Sequence, residues 1–439
     1  MNFFLSGYEF EETFYSFFPK DEIIYKNHNL FTVIIGNNGI GKSRLLSKIE
    51  GDLLKTTEDI NNIISISLSN SHKFNSAVNT NQNLFIPMHK PNEFSSGFTV
   101  LDTSSNSWIS KINNYINYKN NESISFLSLN YYTTKVDILD YKSIFNLCIR
   151  NIIDDNLLGT TNIVTQNIKK VLSFLNFNEN LTIKFKLSRS YKDFKSEAFN
   201  NKNILDFINN ICLALKIKKI EDIENKKFSL FDEIYELEDF IFLLMEDIVE
   251  IQSINLKIRA DKEIYYSELS SGQKTILSIG LSLIASLKDN SIILIDEPEL
   301  GLHPEWQEKI MLLIQEISNP YIGCQFIIAT HSPQIISSIQ YPYSYLLDLS
   351  NNKVTNISKL KNRSSDFQLS KVFETPGNNN EYILRKILII LNKLNTNIVL
   401  SEDESHTKEL VKKLYYEEKF PEQDKVKTLV EILLQIEAK

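Results

Sequence analysis

Several absences narrow the reading before any motif is found. The chain has only three cysteines, Cys148, Cys212 and Cys324, far apart and each in an apolar stretch. That spacing builds neither a zinc site nor a disulfide framework, so reduced core thiols are expected. No apolar run approaches the roughly 18 residues of a membrane span, and the N-terminus lacks the basic segment of a leader peptide. A cytoplasmic protein without membrane contact is therefore expected. Positive charge is not in excess: the net charge is −8, so any contact with nucleic acid has to come from a local patch. The six histidines are scattered and build no HNH nuclease arrangement. No heptad pattern is sustained, which excludes a long coiled-coil arm. What remains is a chain of 439 residues, 42% hydrophobic and 23% charged, long enough for two or three ordinary domains.

The stretch Gly36, Asn37, Asn38, Gly39, Ile40, Gly41, Lys42, Ser43 fits the pattern G-x-x-x-x-G-K-[ST]. An apolar, β-branched run from Leu30 to Ile35 precedes it, and helical apolar spacing begins at Arg44. Strand, glycine loop and helix in that order are what a phosphate-binding P-loop requires. The glycines let main-chain N–H groups curl round phosphate oxygens, and the helix N-terminus adds partial positive charge. Lys42 is expected to reach the β- and γ-phosphates, and the Ser43 hydroxyl to bind Mg²⁺. A strand-like run from Asn62 to Leu68 follows, ending in a polar loop. Asn70 or Ser71 in that loop either faces the nucleotide or belongs to a plain surface turn.

Three signals downstream point to the same chemistry. Ser270, Ser271, Gly272 and Gln273 open an apolar helix, giving a second N-terminal anion site, although capped helices are common. The run from Ser291 to Ile295 ends in Asp296 and Glu297, the pattern of a central parallel strand with two carboxylates at its end. Asp296 suits the Mg²⁺ bound by Ser43, and Glu297 suits orientation or deprotonation of the attacking water. A strand followed by an acidic turn is the plainer alternative. A further buried run, Gln325 to Ala329, leads to His331. A lone histidine is more often structural, but after this strand it can sense the γ-phosphate by hydrogen bonding.

Taken together, these motifs resemble the ABC-type ATPases of the RecF/Rad50/overcoming-lysogenization-defect group. The resemblance covers about residues 1–70 and 262–350. It implies an α/β P-loop NTPase fold: an ABC-ATPase head with a mixed, largely parallel sheet flanked by helices. It also implies ATP and Mg²⁺ as cofactors, and two heads sandwiching ATP, with Ser270 and Gly272 reaching the γ-phosphate of the other copy and His331 as switch histidine. Ser271 departs from the glycine usual in transporter-type members, and no glutamine is assigned to the family's Q-loop. The phrase from Asp296 to Pro304 and the compact insertion are similar to bacterial anti-phage defence ATPases, and the strand and loop from Ile64 to Phe74 resembles the ATPase subunits of Septu systems (including retron-associated ones) and of PARIS systems. That likeness implies a homodimer or higher oligomer serving a separate effector, an HNH nuclease in Septu. The sequence leaves two alternatives open: a RecF-like repair ATPase acting on DNA, and a slow-turnover nucleotide-sensing scaffold.

The expected organisation is an N-terminal half-head at residues 1–74, an α-rich insertion at 75–260, the second half-head at 261–350 and a C-terminal helical region at 351–439. In the insertion, Leu181 to Leu187 alternates like a half-exposed strand, while 205–217 and 228–254 carry helical periodicity. Lys184, Lys186, Arg189, Lys192 and Lys195 lie among Phe185, Tyr191 and Phe194, a combination that can hold nucleic acid, or simply mark an exposed strand edge. Near the C-terminus, Asn397 to Asp403 faintly resembles the opening of a Toprim nuclease. It lacks the following glycine and the Asp-x-Asp pair, so no working nuclease is expected. Helices are expected at 381–395, 406–418 and 424–438, their apolar stripes serving either their own packing or a partner's docking.

Overall fold

A computed structural model describes residues 4–25, 27–53, 62–67, 83–85, 112, 135–137, 142, 144–146, 148–149, 151–152, 163–198, 201–231, 238–245, 248–258, 262–359, 379–396 and 398–437. The polar loop holding Asn70 and Ser71 lies outside the described residues.

A hairpin opens the chain, β1 (Gly7–Phe10) and β2 (Thr13–Ser16), before β3 (Leu30–Ile35) and α1 (Lys42–Leu53). Strands β4 (Asn62–Ser67), β5 (Asn83–Phe85) and β6 (Lys135–Asp137) follow. The insertion then contributes α2 (Ile163–Phe174), β7 (Phe177–Leu187), α3 (Tyr191–Ala198), α4 (Lys202–Ala214), β8 (Lys227–Ser229), α5 (Glu238–Met245), β9 (Val249–Ile258) and β10 (Glu263–Tyr265). The head is completed by α6 (Ser271–Ser286), β11 (Ser291–Asp296), α7 (Pro304–Ser318), β12 (Gln325–Ala329), α8 (Pro333–Ser338), β13 (Ser344–Asp348) and β14 (Lys353–Asn356). Last come α9 (Glu381–Asn395), α10 (Glu402–Tyr416) and α11 (Lys425–Glu437).

The head is built on an eight-stranded sheet in the order β14-β13-β3-β12-β11-β4-β5-β6. Its centre, β13 to β4, is parallel, and the edge strands are antiparallel. Alternate residues feed two cores. Phe31, Val33, Ile293, Ile295, Phe326 and Ile328 pack with α6, α7, α8 and the insertion. Leu30, Ile34, Ile292, Leu294 and Ile327 pack on the other face with α1 and the N-terminal hairpin. Burial on both faces explains why these strands read as unbroken apolar runs.

Beside its helices, the insertion carries a four-stranded antiparallel sheet, β10-β9-β7-β8. Here the expected helical stretch 228–254 fails at both ends: residues 228–229 and 249–254 are strand, not helix. The buried apolar positions are Val249 and Ile251, then Ile254 and Leu256. A register shift opposite Lys184 and Phe185 inserts one residue between these pairs. The bulge turns a period of two into a three-residue step and imitates helical spacing. The basic cluster also reads differently, because Phe185, Tyr191 and Phe194 are buried core residues and offer no stacking face. Lys186 pairs with Glu250 at 2.7 Å and Lys195 with Glu221 at 2.5 Å.

The three C-terminal helices form their own core around Ile387, Val411, Val426 and Val430. Of the stretch compared with a Toprim opening, residues 398–401 lead into α10, which begins at Glu402, and Ser401 and Glu404 cap that helix reciprocally.

The insertion meets the head where Gly280 of α6 faces Val171 of α2. A Cβ on Gly280 would stand 2.9 Å from a Val171 methyl carbon. Alanine at a helix interior gains about 1 kcal/mol over glycine, but a stiff valine cannot yield, and overpacking costs about 1–3 kcal/mol. Gly280→Ala is expected to destabilise the protein. In urea unfolding, Gly280→Ala/Val171→Ala should be more stable than the sum of its single changes by about 1 kcal/mol.

Candidate functional site

Register across the sheet assembles the site. Asp296 pairs with Ala329, and Ala329 with Ile34, so one row crosses β11, β12 and β3 at their carboxyl ends. Two main-chain bonds continue the ladder past the strands: Glu297 N–H donates to the Ala329 carbonyl at 2.9 Å, and Thr330 N–H to that of Ile34 at 3.1 Å. The P-loop, the two carboxylates and His331 therefore leave the sheet side by side, in the crevice where open α/β sheets bind ligands.

The P-loop shows why glycine is needed. Gly39 has φ +83° and Gly41 has φ +109°, a region that side chains disfavour, and a Cβ on Gly41 would meet the Phe10 ring at 3.1 Å. Asn37, Asn38 and Gly39 are exposed, and Ile40 N–H donates to the Asn37 carbonyl. Lys42 is buried and folds back to donate to the carbonyls of Gly36 at 3.0 Å and Asn37 at 3.4 Å. Burial pulls its ammonium below the usual lysine range, against the opposing pull of Glu297, Asp296 and Glu299. Ser43 Oγ donates to Asp296 Oδ1 at 3.1 Å, joining the first turn of α1 to the end of β11. A hydroxyl and a buried carboxylate converging on one point are hard oxygen donors, which fit Mg²⁺. The Arg44 guanidinium lies beside Gly41, pairs with Glu11 at 2.8 Å and stands over the Phe10 ring.

Glu297 has φ +50°, an unusual conformation for a glutamate. Such strain costs about 1–3 kcal/mol and clusters at functional positions. His331 Nε2 stands 3.8 Å from Glu297 Oε1. Burial first, and then the Lys42 charge, pull the imidazole below its ordinary pKa, while Glu297 works the other way.

Ser270, Ser271, Gly272 and Gln273 open α6 and bond among themselves. Ser270 caps α6: its Oγ accepts from Gln273 N–H at 3.2 Å, and Gln273 Oε1 accepts from Ser270 N–H at 3.0 Å. Ser271, the first helical residue, is exposed, so serine fits where transporter-type relatives carry glycine. Gly272 packs close to the Trp306 ring, with the Gly301 carbonyl nearby. Among the described residues, no hydrogen bond or ion pair joins this cap to the P-loop of its own chain.

Sequence reasoning gave no role to Glu299, yet Glu299 Oε1 accepts from both Thr330 Oγ1 and His331 N–H at 2.7 Å. The nearby Pro298 and the left-handed Gly301, φ +75°, mark a turn, but no local pattern says that the turn tucks a carboxyl group inward.

Residues 31–337 match the family described as "AAA domain, putative AbiEii toxin, Type IV TA system". The chain belongs to that family. This AAA-domain ATPase has an α/β fold and a nucleotide-binding P-loop. It is similar to the Retron Vc95 probable ATPase of Vibrio cholerae serotype O1 biovar El Tor, 25% identical over 427 residues, covering 81% of this chain and 77% of that protein. It is 32% identical over 183 residues to the Retron Ec83 probable ATPase of Escherichia coli, covering 39% and 32% of the two chains. It is 33% identical over 119 residues to the Septu protein PtuA of Bacillus thuringiensis, covering 24% and 29%. Among the described residues no helix is long and apolar enough to cross a membrane.

The charges around His331 predict the direction of its titration. In nucleotide-free protein its imidazole should titrate below the ordinary histidine value, so the ring is neutral at pH 7. Lys42→Met removes a cation that opposes protonation and should raise the midpoint. Glu297→Gln removes an anion that favours it and should lower the midpoint. Imidazole NMR on histidine-labelled protein reads both shifts.

Proposed function

We propose that the chain binds and hydrolyses ATP between two copies of itself and uses that cycle to control a separate effector in anti-phage defence. In this reading residues 36–43 cradle the phosphates and Lys42 neutralises the β- and γ-phosphates, while Arg44 contributes its N–H at the start of α1. Ser43 and Asp296 hold Mg²⁺, which supplies positive charge to the transferring phosphoryl group. Glu297 takes the proton of the attacking water, and His331 donates a hydrogen bond to the γ-phosphate. Ser270 and Gly272, with Ser271 and Gln273 forming the cap, complete the site of the second copy.

The observation that carries this reading is the division of the site residues into two groups. Ser43 and Asp296 are hydrogen-bonded, Lys42 lies within reach of the carboxylate charges and His331 stands beside Glu297. The cap at Ser270 is bonded only within itself, leaving it for a nucleotide held by another chain. Nucleotide occupancy and dimerisation are then linked equilibria. The retron and Septu relatives supply the defence setting, and an HNH nuclease is the effector type proposed. The C-terminal helical region, which exposes Leu388, Ile389, Ile398 and Val399, is the proposed docking element. The RecF-like reading loses support, since the aromatic residues of the basic patch are buried and two of its lysines are paired.

Glu297→Gln keeps the size and hydrogen-bonding reach of the side chain but removes the base. Turnover should fall about 10²- to 10⁴-fold. Light scattering in ATP and Mg²⁺ should show a lasting dimer that Ser270→Arg abolishes. Wild-type turnover in Glu297→Gln would remove the base assignment, and a monomer throughout would remove the shared site.

A further inference from the structure

Glu299 is the one carboxyl group at this site that the reading above leaves without a task. It follows Pro298 on the loop leaving β11, three residues beyond Asp296. One of its oxygens does two things: Oε1 accepts from the Thr330 hydroxyl and from the His331 main-chain N–H, each at 2.7 Å. The other, Oε2, is buried and has no hydrogen-bond partner. The segment it grips is tied further along. Thr330 Oγ1 accepts from Ser332 N–H at 2.9 Å, and the Ser332 hydroxyl donates to Gln307 Oε1 at 2.8 Å. Gln307 Nε2 donates to the Leu302 carbonyl at 3.0 Å, which returns the chain of bonds to the loop that carries Glu299. The bonds thus form a closed ring between the loop after β11 and the loop after β12.

Glu297 leaves the sheet on the first of these loops and His331 on the second. We propose that Glu299 is a positioning residue: by clasping the main chain of His331 to the Glu297 loop, it fixes how the imidazole stands relative to the carboxylate and the γ-phosphate. The inference rests on the roles assigned to Glu297 and His331. The task needs one acceptor oxygen and no charge. Burial, which pushes the Glu299 carboxyl above the usual range towards its neutral form, agrees with that. An amide offers the same acceptor in the same place. Removing the acceptor would leave a buried N–H and a buried hydroxyl unpaired and release the segment.

The test compares Glu299→Ala with Glu299→Gln in the full chain. In nucleotide-free protein labelled with ¹⁵N-histidine, the His331 amide resonance is assigned by its loss in His331→Gln. It should move in the alanine variant and return close to its wild-type position in the glutamine variant. Under saturating ATP, Glu299→Ala should lower kcat about 10- to 100-fold with KM little changed, and glutamine should restore most of that loss. Thr330→Val, which removes one of the two donors, should lie between them. If glutamine is as impaired as alanine, Glu299 acts through its charge and the positioning role is wrong. An unmoved His331 amide with wild-type kcat in Glu299→Ala would equally overturn it. Failure of the underlying reading looks different: Glu297→Gln and His331→Gln would then turn over like wild type, while the amide resonance would still report whether the clasp exists.

Discussion

The structure depends on the parallel ladder that aligns Asp296, Ala329 and Ile34. Both faces of these strands are buried, so their register is fixed twice, once by each core. A slip of one residue would exchange the two side-chain sets between faces of different shape. It would also displace the ends of β11, β12 and β3 along the strand direction by about 3.3 Å. That exceeds the 3.1 Å bond between Ser43 and Asp296 and would break it. The distance between Ser43 and Asp296, whose positions in the chain are far apart, is therefore a consequence of hydrophobic packing on the strands beneath them.

The site sits where the ladder runs out, and that location accounts for its strain. Glu297 and Thr330 each make one more ladder bond before the chain turns away. Glu297 keeps a left-handed conformation there, and the loop after it is held by Leu300 N–H on the Glu297 carbonyl and Leu302 N–H on that of Glu299. The unfavourable backbone is offset by these bonds and by the rigid strands on either side.

Local chemistry made much of this legible beforehand. Glycine spacing, the capped helix at Ser270, the apolar runs and the helical stripes near the C-terminus each carry their signal within a few residues. The P-loop, Asp296, Glu297 and His331 could therefore be located from the chain alone, and α9 begins and ends where its stripe does. What escaped depends on distant partners. The strand at Val249–Ile258 was hidden because its bulge is set by pairing with β7, more than 60 positions away. The basic patch stayed ambiguous because the direction each aromatic faces is a property of the folded sheet. Glu299 looked like one more acidic residue in a turn, since burial of its carboxyl and its hold on His331 arise only when β11 and β12 lie side by side.

The balance of charge ties these features to one another. Around Lys42 stand Asp296, Glu297 and Glu299, and the nearby His331 is held neutral. With three acidic groups against one ammonium, a triphosphate alone would add negative charge to a surplus that is already poorly solvated. A divalent cation at Ser43 and Asp296 would remove the conflict, and protonation of the buried Glu299 would lessen it further. A neutral His331 has one N–H to donate and one nitrogen free to accept, so it can bond a phosphate oxygen without competing with Lys42 for the carboxylates. Were it charged, Lys42 would repel it and Glu297 would draw it inward, away from the γ-phosphate. The same burial that depresses the imidazole therefore leaves Glu297 facing a neutral ring and not a second cation.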